Sequence, residues 1–183
     1  MRDLDQVVKA YDIRGTYPDQ IDAELCRAFG AAFARLVVEG PSPRDRVLVA
    51  RDMRPSGPEL VAAFTEGVLA QGLDVVDLGM ASTDLIYFAA GSLDAPGAMF
   101  TASHNPAGYN GIKLCQAGAA PVGQDTGLGR IVELVQSPPP PADQRGTRTE
   151  LDVMDDFVAH VRSFIDTSVL RPLKVVADTA NGM

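Results

Sequence analysis

The chain has 183 residues, of which 46% are apolar, and its 24 acidic and 16 basic side chains give a formal net charge of -8. The apolar fraction is ordinary for a globular protein and excludes disorder along the whole chain, whereas the negative charge disfavours nucleic acid as a partner. No apolar run is long enough to span a bilayer and no basic-then-apolar leader follows Met1, so we expect a soluble, cytoplasmic protein. The only cysteines, Cys26 and Cys115, are too few and too far apart for a disulfide framework or a zinc ribbon.

Hydrophobic spacing predicts a helix, a strand and a second helix near the N-terminus. The first helix follows the potential N-cap Asp22, and its apolar residues are Ile21, Leu25, Phe29, Phe33 and Leu36. A short apolar run at 47–50 suits a buried strand. Ser56, followed three residues later by Glu59, has the capping-box pattern, so the second helix should begin there and end near Gly72. Its inner face should carry Leu60, Phe64, Val68 and Leu69.

The alternation of strands and helices continues along the next part of the chain. The further predicted elements are a strand at 73–78, a helix from the N-cap Ser82 through Ala90, a strand at 98–101 and a helix at 124–135. Asn110-Gly111 is a tight-turn signal, which would make 112–115 a returning strand. This order predicts an α/β fold with a layered, mixed, largely parallel sheet flanked by helices.

A change in composition near residue 137 predicts a domain boundary. The prolines at 138–141 cannot continue a helix, so we expect a first domain at 1–136 and a Pro-rich linker at 137–150. After the linker, apolar residues at helical spacing and a strand at 173–177 predict the incomplete start of a second α/β domain at 151–183. One helix and one strand cannot bury a core alone, so the chain is expected to be truncated.

The segment Thr101-Ala102-Ser103-His104-Asn105-Pro106 follows a predicted strand, at the end of the sheet where open α/β folds bind ligands. A serine hydroxyl is a weak nucleophile and needs a base or a group to transfer. His104 is adjacent to Ser103, and Lys113 could return to the same end of the sheet. Alternatively, Ser103 and Asn105 satisfy backbone groups in a turn. A serine hydrolase is disfavoured because no Gly-x-Ser-x-Gly elbow occurs.

Two further charged clusters precede predicted helices. Arg14, in the segment from Lys9 to Gly15, could bind a phosphate with its planar guanidinium, or it could form a surface salt bridge with Asp12. The segment from Arg51 to Gly57 precedes a helix N-terminus, where backbone donors favour anions, but Arg51 and Asp52 more simply pair with each other. Neither a Walker lysine motif nor Gly-x-Gly-x-x-Gly is present, which disfavours a nucleotide-binding site.

Taken together, these blocks resemble the α-D-phosphohexomutases, and within that family the phosphomannomutase/phosphoglucomutase group. The blocks are Tyr11-Asp12-Ile13-Arg14-Gly15, Arg51-Asp52, Ser56-Gly57, Thr101-Ala102-Ser103-His104-Asn105-Pro106, Tyr109-Asn110-Gly111 and Lys113. The segments 175–178 and 181–183 also resemble the start of the family's second domain. The resemblance implies an enzyme that interconverts hexose 1-phosphates and 6-phosphates of mannose or glucose. The reaction passes through a phosphoserine and a hexose 1,6-bisphosphate.

The resemblance also implies roles for individual residues. Ser103 would be the phosphorylated serine, and its phosphate would ligate Mg²⁺ together with an Asp-rich loop that does not occur before Met183. Arg14 and Lys113 would supply positive charge beside the transferring phosphoryl group. His104 and Lys113 would position the sugar hydroxyl or transfer its proton, and Tyr11 would shape the substrate pocket. The other partners implied are hexose phosphates and the remaining domains of the parent chain, without which the fragment should be inactive.

Two other functions stay open at this point. A phosphoglucosamine mutase would use the same kind of serine loop, and the residues that determine sugar specificity are expected to lie outside this chain. The chain could also be a non-catalytic domain that binds a partner through an open apolar surface. Ala102 departs from the family pattern, which often has glycine there, and we expect a compact loop to tolerate the change.

Overall fold

The structure, a computed structural model, describes residues 4–178. Its strands are β1 (Ile13–Thr16), β2 (Arg46–Arg51), β3 (Asp74–Met80), β4 (Gly97–Phe100), β5 (Tyr109–Cys115) and β6 (Arg148–Glu150). Its helices are α1 (Ala23–Glu39), α2 (Gly57–Ala70), α3 (Thr83–Ser92), α4 (Leu128–Gln136) and α5 (Met154–Arg162). None of the helices described is long and apolar enough to cross a membrane.

The six strands form one mixed sheet in the order β1-β5-β4-β2-β3-β6. The strands β4, β2, β3 and β6 pair in parallel, whereas β5 is antiparallel to both of its neighbours, β4 and β1. The predicted α/β fold with a largely parallel sheet flanked by helices is therefore confirmed. The carboxyl end of β4 leads into the loop that contains Ser103, and the chain returns along β5.

Helices cover both faces of the sheet, and each face has its own hydrophobic core. The larger core lies under α1, α2 and α4 and is centred on Phe33, Phe64 and Phe100. The ring of Phe64 lies 6.2 Å from that of Phe33 and meets that of Phe100 edge-on at 5.4 Å. The smaller core lies under α3 and includes Met99 and Cys115. These layers hold β4 and β5 from both sides, so the start and end of the Ser103 loop are rigidly placed.

Most predicted elements are confirmed, including two N-caps. The Asp22 carboxylate accepts a hydrogen bond from the Leu25 N–H at 2.8 Å, and the Ser82 hydroxyl accepts one from the Leu85 N–H at 3.2 Å. The predicted capping box at Ser56 is wrong, although α2 does begin there. The Ser56 hydroxyl instead accepts a hydrogen bond from the Asn110 amide at 2.8 Å.

The predicted turn at Asn110-Gly111 is also wrong, because both residues lie inside β5. The chain reverses earlier, between the end of β4 and Tyr109. Asn110 is completely buried, and besides bonding Ser56 it accepts the N–H of Gly111 through its own side-chain oxygen at 2.8 Å. The side chain that suggested a turn therefore satisfies buried polar groups within a strand, which spacing alone does not reveal.

Several helix and strand boundaries differ from those predicted, because contacts between distant parts of the chain decide them. The predicted helix at 124–135 divides into a short 3₁₀ turn, Gln124–Thr126, and α4, with Gly127 at φ 147° between them. Two strands were not predicted, β1 and β6, and β6 lies within the segment predicted as a linker, paired with β3. The strand predicted at 173–177 is wrong: these residues are exposed and, in the part of the chain described, no strand pairs with them. The division into domains at 136 and 151 stays a prediction.

Candidate active site

Ser103 lies in a largely irregular segment that joins β4 to β5 and ends at the first residue of β5; we call this segment, residues 101–109, the serine loop. Its side chain is exposed at the carboxyl end of β4, as expected for a ligand-binding position in an open α/β sheet. Its backbone has a φ of 53°, in the left-handed region that non-glycine residues rarely adopt. Such a conformation is unfavourable by about 1–3 kcal/mol and persists only where the surrounding structure holds it.

Arg54, from the turn after β2, supplies much of that support. Its guanidinium is buried and donates hydrogen bonds to four carbonyl oxygens of the serine loop. The acceptors are Ser103 at 2.8 Å, Asn105 at 2.9 Å, Pro106 at 2.8 Å and Tyr109 at 2.9 Å. The fifth donor, Nε, bonds Asp52 at 3.1 Å. All five N–H groups of this side chain are therefore satisfied, which is the state that a buried cation requires.

Asp52 connects Arg54 to the start of the serine loop. One carboxylate oxygen, Oδ2, accepts from Arg54 and also from the Thr101 hydroxyl at 2.8 Å. The other oxygen, Oδ1, accepts from the Arg54 backbone N–H at 3.0 Å. Thr101 Oγ1 in turn accepts the N–H of Ser103 at 2.9 Å. The predicted pair between Arg51 and Asp52 is therefore wrong: the Asp52 carboxylate pairs with Arg54, and Arg51 instead donates to the Asp52 backbone carbonyl at 3.1 Å.

Asn105 stabilises the middle of the same loop. Its side-chain amide donates to the Ala102 carbonyl at 2.8 Å, and its backbone N–H donates to the same oxygen at 3.0 Å. This bears out the alternative that Asn105 satisfies backbone groups in a turn. Ser103 differs, because its hydroxyl points outward and its nearest partner is Nδ1 of His104 at 3.4 Å. His104 is exposed, so that contact is a weak one at the loop surface.

The sheet register brings Arg14 level with the serine loop. Arg14 on β1 lies opposite Gly111 on β5, and the Gly111 carbonyl accepts the N–H of Thr101 at 3.0 Å. These three residues form one row across neighbouring strands. A Cβ on Gly111 would lie 2.3 Å from the Ile13 carbonyl oxygen, so glycine is what allows the backbones to approach there. The row puts Arg14 about two strand spacings, roughly 10 Å, from the start of the serine loop.

Lys113 occupies the next row of the same sheet face. It lies opposite Met99 on β4, and its ammonium is 3.5 Å from the Asp12 carboxylate. The predicted alternative of a salt bridge between Asp12 and Arg14 is therefore wrong. Arg14 forms no ion pair within residues 4–178, whereas the charge of Lys113 is partly balanced by Asp12. Arg14 thus has its positive charge available at this face.

Tyr11 lies farther out. Its side chain is 76% exposed, and its ring lies against Gly123.

Tyr17 directly follows β1 and forms two hydrogen bonds. Its N–H donates to the Gly108 carbonyl at 2.8 Å, and its hydroxyl donates to Glu59 at 2.6 Å. The hydrogen bond to Glu59, with smaller contributions from burial and nearby negative charge, raises the pKa of Tyr17. Tyr17 therefore connects the end of the serine loop to α2.

Carboxylates do not cluster around Ser103 in the way that a metal held by this chain alone would need. No group of three or more His, Cys, Asp or Glu side chains that could hold a metal ion occurs among residues 4–178. The Asp52 carboxylate, which the fold brings next to the serine loop, is already engaged by Arg54 and Thr101. The residues described therefore do not fit a complete Mg²⁺ site.

The chain is similar to known proteins over most of its length. The family model described as phosphoglucomutase/phosphomannomutase, alpha/beta/alpha domain I, matches residues 5–138. The chain belongs to that family. Phosphohexose mutases of Xanthomonas campestris pv. campestris are 39% identical over 177 residues, and a phosphomannomutase of Escherichia coli K12 is 36% identical over 178 residues. Each match covers 95% of this chain, and the chain spans 38% of the length of these curated relatives.

A solved structure gives the same family assignment. A phosphoglucomutase/phosphomannomutase family protein from Burkholderia thailandensis is 36% identical and has a TM-score of 0.77. The alignment covers 88% of this chain and 36% of the other. These family members are thus much longer than this chain.

Sequence reasoning named the candidate residues around Ser103 but missed the side chains that support the serine loop. Ser103, His104, Arg14 and Lys113 lie at or beside the carboxyl end of β4 and on the adjoining strands β1 and β5. Arg54 was not singled out, because its partners at 103–109 are about fifty positions away in the chain. The only local signal is that Arg54 and Asp52 flank a single residue in a turn that follows a buried strand.

Proposed function

We propose that this chain is the serine-bearing domain of a cytoplasmic phosphohexomutase that interconverts the 1- and 6-phosphates of mannose or glucose. The observation that carries the proposal is the exposed hydroxyl of Ser103, presented at the end of β4 on a loop whose carbonyls are bound by a buried arginine. Family membership supports the same reaction class. Because the chain spans 38% of its relatives, the activity belongs to the whole protein.

In the proposed reaction, Ser103 carries the phosphoryl group as a phosphoserine. A hydroxyl of the bound hexose phosphate attacks phosphorus, the bond from phosphorus to Ser103 Oγ breaks, and the sugar becomes a hexose 1,6-bisphosphate. The sugar hydroxyl loses its proton and the serine oxygen gains one. After the intermediate turns around, the other phosphoryl group returns to Ser103. Such transfers depend mainly on in-line positioning and on neutralised charge.

The basic residues at this face of the sheet would neutralise the negative charge of the transferring phosphoryl group. Arg14 has no ion pair within the described chain, so its guanidinium is free to bind phosphate oxygens. Lys113 is partly balanced by Asp12 and would add a point charge beside the transferring group. His104 Nδ1, 3.4 Å from Ser103 Oγ, is the nearest described group that could exchange a proton with the serine oxygen or with the incoming hydroxyl. Tyr11 would border the substrate pocket.

The Mg²⁺ implied by the family resemblance would be ligated here only through the phosphate on Ser103. Among residues 4–178 no group of three or more metal-ligating side chains occurs, so the other ligands would come from outside the described residues. When bound, the ion would offset phosphate charge. No step above requires a second ligand from this chain.

The direct test is phosphorylation of Ser103 in the purified chain. The chain is incubated with radiolabelled glucose 1,6-bisphosphate or mannose 1,6-bisphosphate, and the labelled residue is located by mass spectrometry. We expect label on Ser103, none in Ser103→Ala, and wild-type labelling in Ser168→Ala, which changes an exposed serine far along the chain. Label on another residue would contradict the proposal, and so would absence of label with either donor in the whole protein, to which the activity belongs. Preferential labelling from glucosamine 1,6-bisphosphate would instead indicate a phosphoglucosamine mutase.

A second measurement tests whether this chain by itself has mutase activity. The purified chain should not interconvert hexose 1- and 6-phosphates, since a catalytic cycle needs more of the active site than one domain. Turnover at enzyme-like rates would contradict this. Reading the coding sequence beyond codon 183 should reveal an open frame with an Asp-Gly-Asp-type loop that could hold the metal.

A non-catalytic binding domain is the second candidate, because large apolar side chains are exposed near the C-terminus. Phe164 is 71% exposed and Val176 is 88% exposed. If this surface binds a defined partner or a second copy, sedimentation should show a discrete concentration-dependent species. Non-specific association would give a continuous increase in size.

A further inference from the structure

The backbone of Ser103 is held on both of its sides by side chains, one from the serine loop itself and one from the turn after β2. Its N–H donates to Thr101 Oγ1 at 2.9 Å, and its carbonyl accepts from Arg54 at 2.8 Å. The first group belongs to the peptide plane before Ser103 and the second to the plane after it. The rotation of these two planes about Cα defines φ and ψ, so the two hydrogen bonds together specify the left-handed conformation.

We propose that Arg54 is a positioning residue for the phosphoryl transfer at Ser103, acting through the Asp52–Arg54–Thr101 network. This inference rests on the proposed function. The network sets the backbone of Ser103, and that backbone directs its Oγ outward from the end of β4. Within the part of the chain that the structure describes, the Arg54 side chain donates its hydrogen bonds to main-chain oxygens and to Asp52, and none to the serine hydroxyl.

The contribution of Arg54 is geometric, because its charge is already balanced. The Asp52–Arg54 pair is buried, with each side chain 8% exposed, and its two charges are 3.1 Å apart. The pair therefore presents little net field to a phosphate on Ser103. Oδ2 of Asp52 also binds the Thr101 hydroxyl at 2.8 Å, which joins the two hydrogen bonds at Ser103 into one network.

Five bonds from one planar group also explain why arginine is required. Lysine would keep the positive charge but has three donors and no planar fork, so at least two of the five acceptors would lose their partner. A geometric role and an electrostatic role thus predict opposite results for Arg54→Lys. A displacement of about 1 Å in a reacting group lowers the rate by about 100-fold.

The experiment compares Arg54→Lys with Arg44→Lys in the full chain. Arg44 is a matched control because it also binds backbone oxygens, at Ser42, Pro43 and Asp94, but far along the chain from the serine loop. Two quantities are measured: the rate of Ser103 labelling by hexose 1,6-bisphosphate, and hydrogen exchange at the amides of Ser103, Asn105 and Tyr109. Thermal unfolding of each variant establishes that it is folded at the assay temperature.

We expect Arg54→Lys to label about 100-fold more slowly than the wild type. Its loop amides should exchange at least about tenfold faster than those of Arg44→Lys, while amides of α1 are unchanged. Wild-type labelling in Arg54→Lys would overturn the proposal, as would loop exchange equal to that of Arg44→Lys. If neither the wild-type chain nor the whole protein accepts a phosphoryl group, the proposed function fails, and the exchange data still decide whether Arg54 holds the loop.

A second pair of variants covers the case in which Arg54→Lys does not fold. Thr101→Ser keeps the hydroxyl that joins Asp52 to the Ser103 N–H, whereas Thr101→Val keeps the shape and removes it. Thr101→Ser should label at close to the wild-type rate, and Thr101→Val about tenfold more slowly, with faster exchange of the Ser103 amide. Equal labelling and exchange in the two variants would contradict the network as the determinant of Ser103 geometry.

Discussion

The serine loop and the C-terminal segment at 163–178 are both largely irregular, but they differ in how their backbone is satisfied. In the serine loop, Arg54, Thr101 and the side chain of Asn105 bind the backbone around Ser103. In the C-terminal segment every residue described is exposed, and the hydrogen bonds found there are local, such as those from the Ser168 N–H and hydroxyl to Asp166. The lack of regular secondary structure therefore does not show whether a segment is held in one conformation. What matters is whether side chains, here Thr101 and Asn105 of the loop together with the distant Arg54, supply hydrogen-bond partners to the backbone.

The largest contrast should come from removing apolar volume beside each region. Ile112 on β5 is completely buried below the serine loop, whereas Val176 is 88% exposed. Ile112→Ala should lower the free energy of unfolding by about 2–5 kcal/mol, because it leaves a cavity in the core. Val176→Ala should change it by less than about 0.5 kcal/mol. Urea unfolding followed by circular dichroism measures both, and similar losses would show that the C-terminal segment is packed.

A smaller effect is expected where the strands approach closely beside the loop. A Cβ on Gly111 would lie 2.3 Å from the Ile13 carbonyl oxygen and 3.0 Å from that of Thr101. Gly111→Ala should therefore cost about 3 kcal/mol, since backbone atoms cannot move aside as side chains do.

Gly91 is the matched control for this substitution. It lies in α3, and a Cβ there would meet nothing within 4 Å. Gly91→Ala should be neutral or stabilise the protein by up to about 1 kcal/mol, because alanine favours the helix. A loss in Gly91→Ala as large as that in Gly111→Ala would argue against the close strand contact as the cause.

The smallest expected effect is a pH dependence that arises at the end of β5. Burial raises the pKa of the Cys115 thiol from 9.0 to about 11. The folded state thus favours the protonated thiol, and this contribution is fully present below pH 9 and is lost as the pH rises through about 11. Stability should fall in that window by up to about 2 kcal/mol.

The Cys115→Ala variant tests the source of this pH dependence. Removing the thiol should make the decline in unfolding free energy between pH 9 and about 11 shallower than in the wild type. Thiol reagents add a second measurement, because Cys26 and Cys115 are both buried and should react slowly until the sheet opens. Rapid reaction of Cys115 in the native protein at neutral pH would show that the smaller core, on its face of the sheet, is open to solvent.

Local signals predicted the helices well, because amphipathic spacing and N-caps act within a few residues. The Asp22 and Ser82 caps are examples, since each side chain bonds an N–H three positions later. At Ser56 the same kind of signal was misleading. There a partner from β5, Asn110, competes for the hydroxyl, and buried Asn110 has greater need of that bond than an exposed helix end has.

For the candidate site, the sequence by itself determined which groups are available for chemistry: an exposed serine after a buried strand, a neighbouring histidine, and basic residues on segments that precede or follow it. The tertiary structure decided which of them are free. Sheet register pairs Lys113 with Asp12 and leaves Arg14 without an ion pair in the described chain, and chain folding brings Arg54 to the carbonyls of the serine loop. Hydrogen bonds between residues about fifty positions apart leave no periodic pattern in a sequence. The backbone geometry of Ser103 is therefore a property of the folded protein, even though the serine itself is evident from its sequence block.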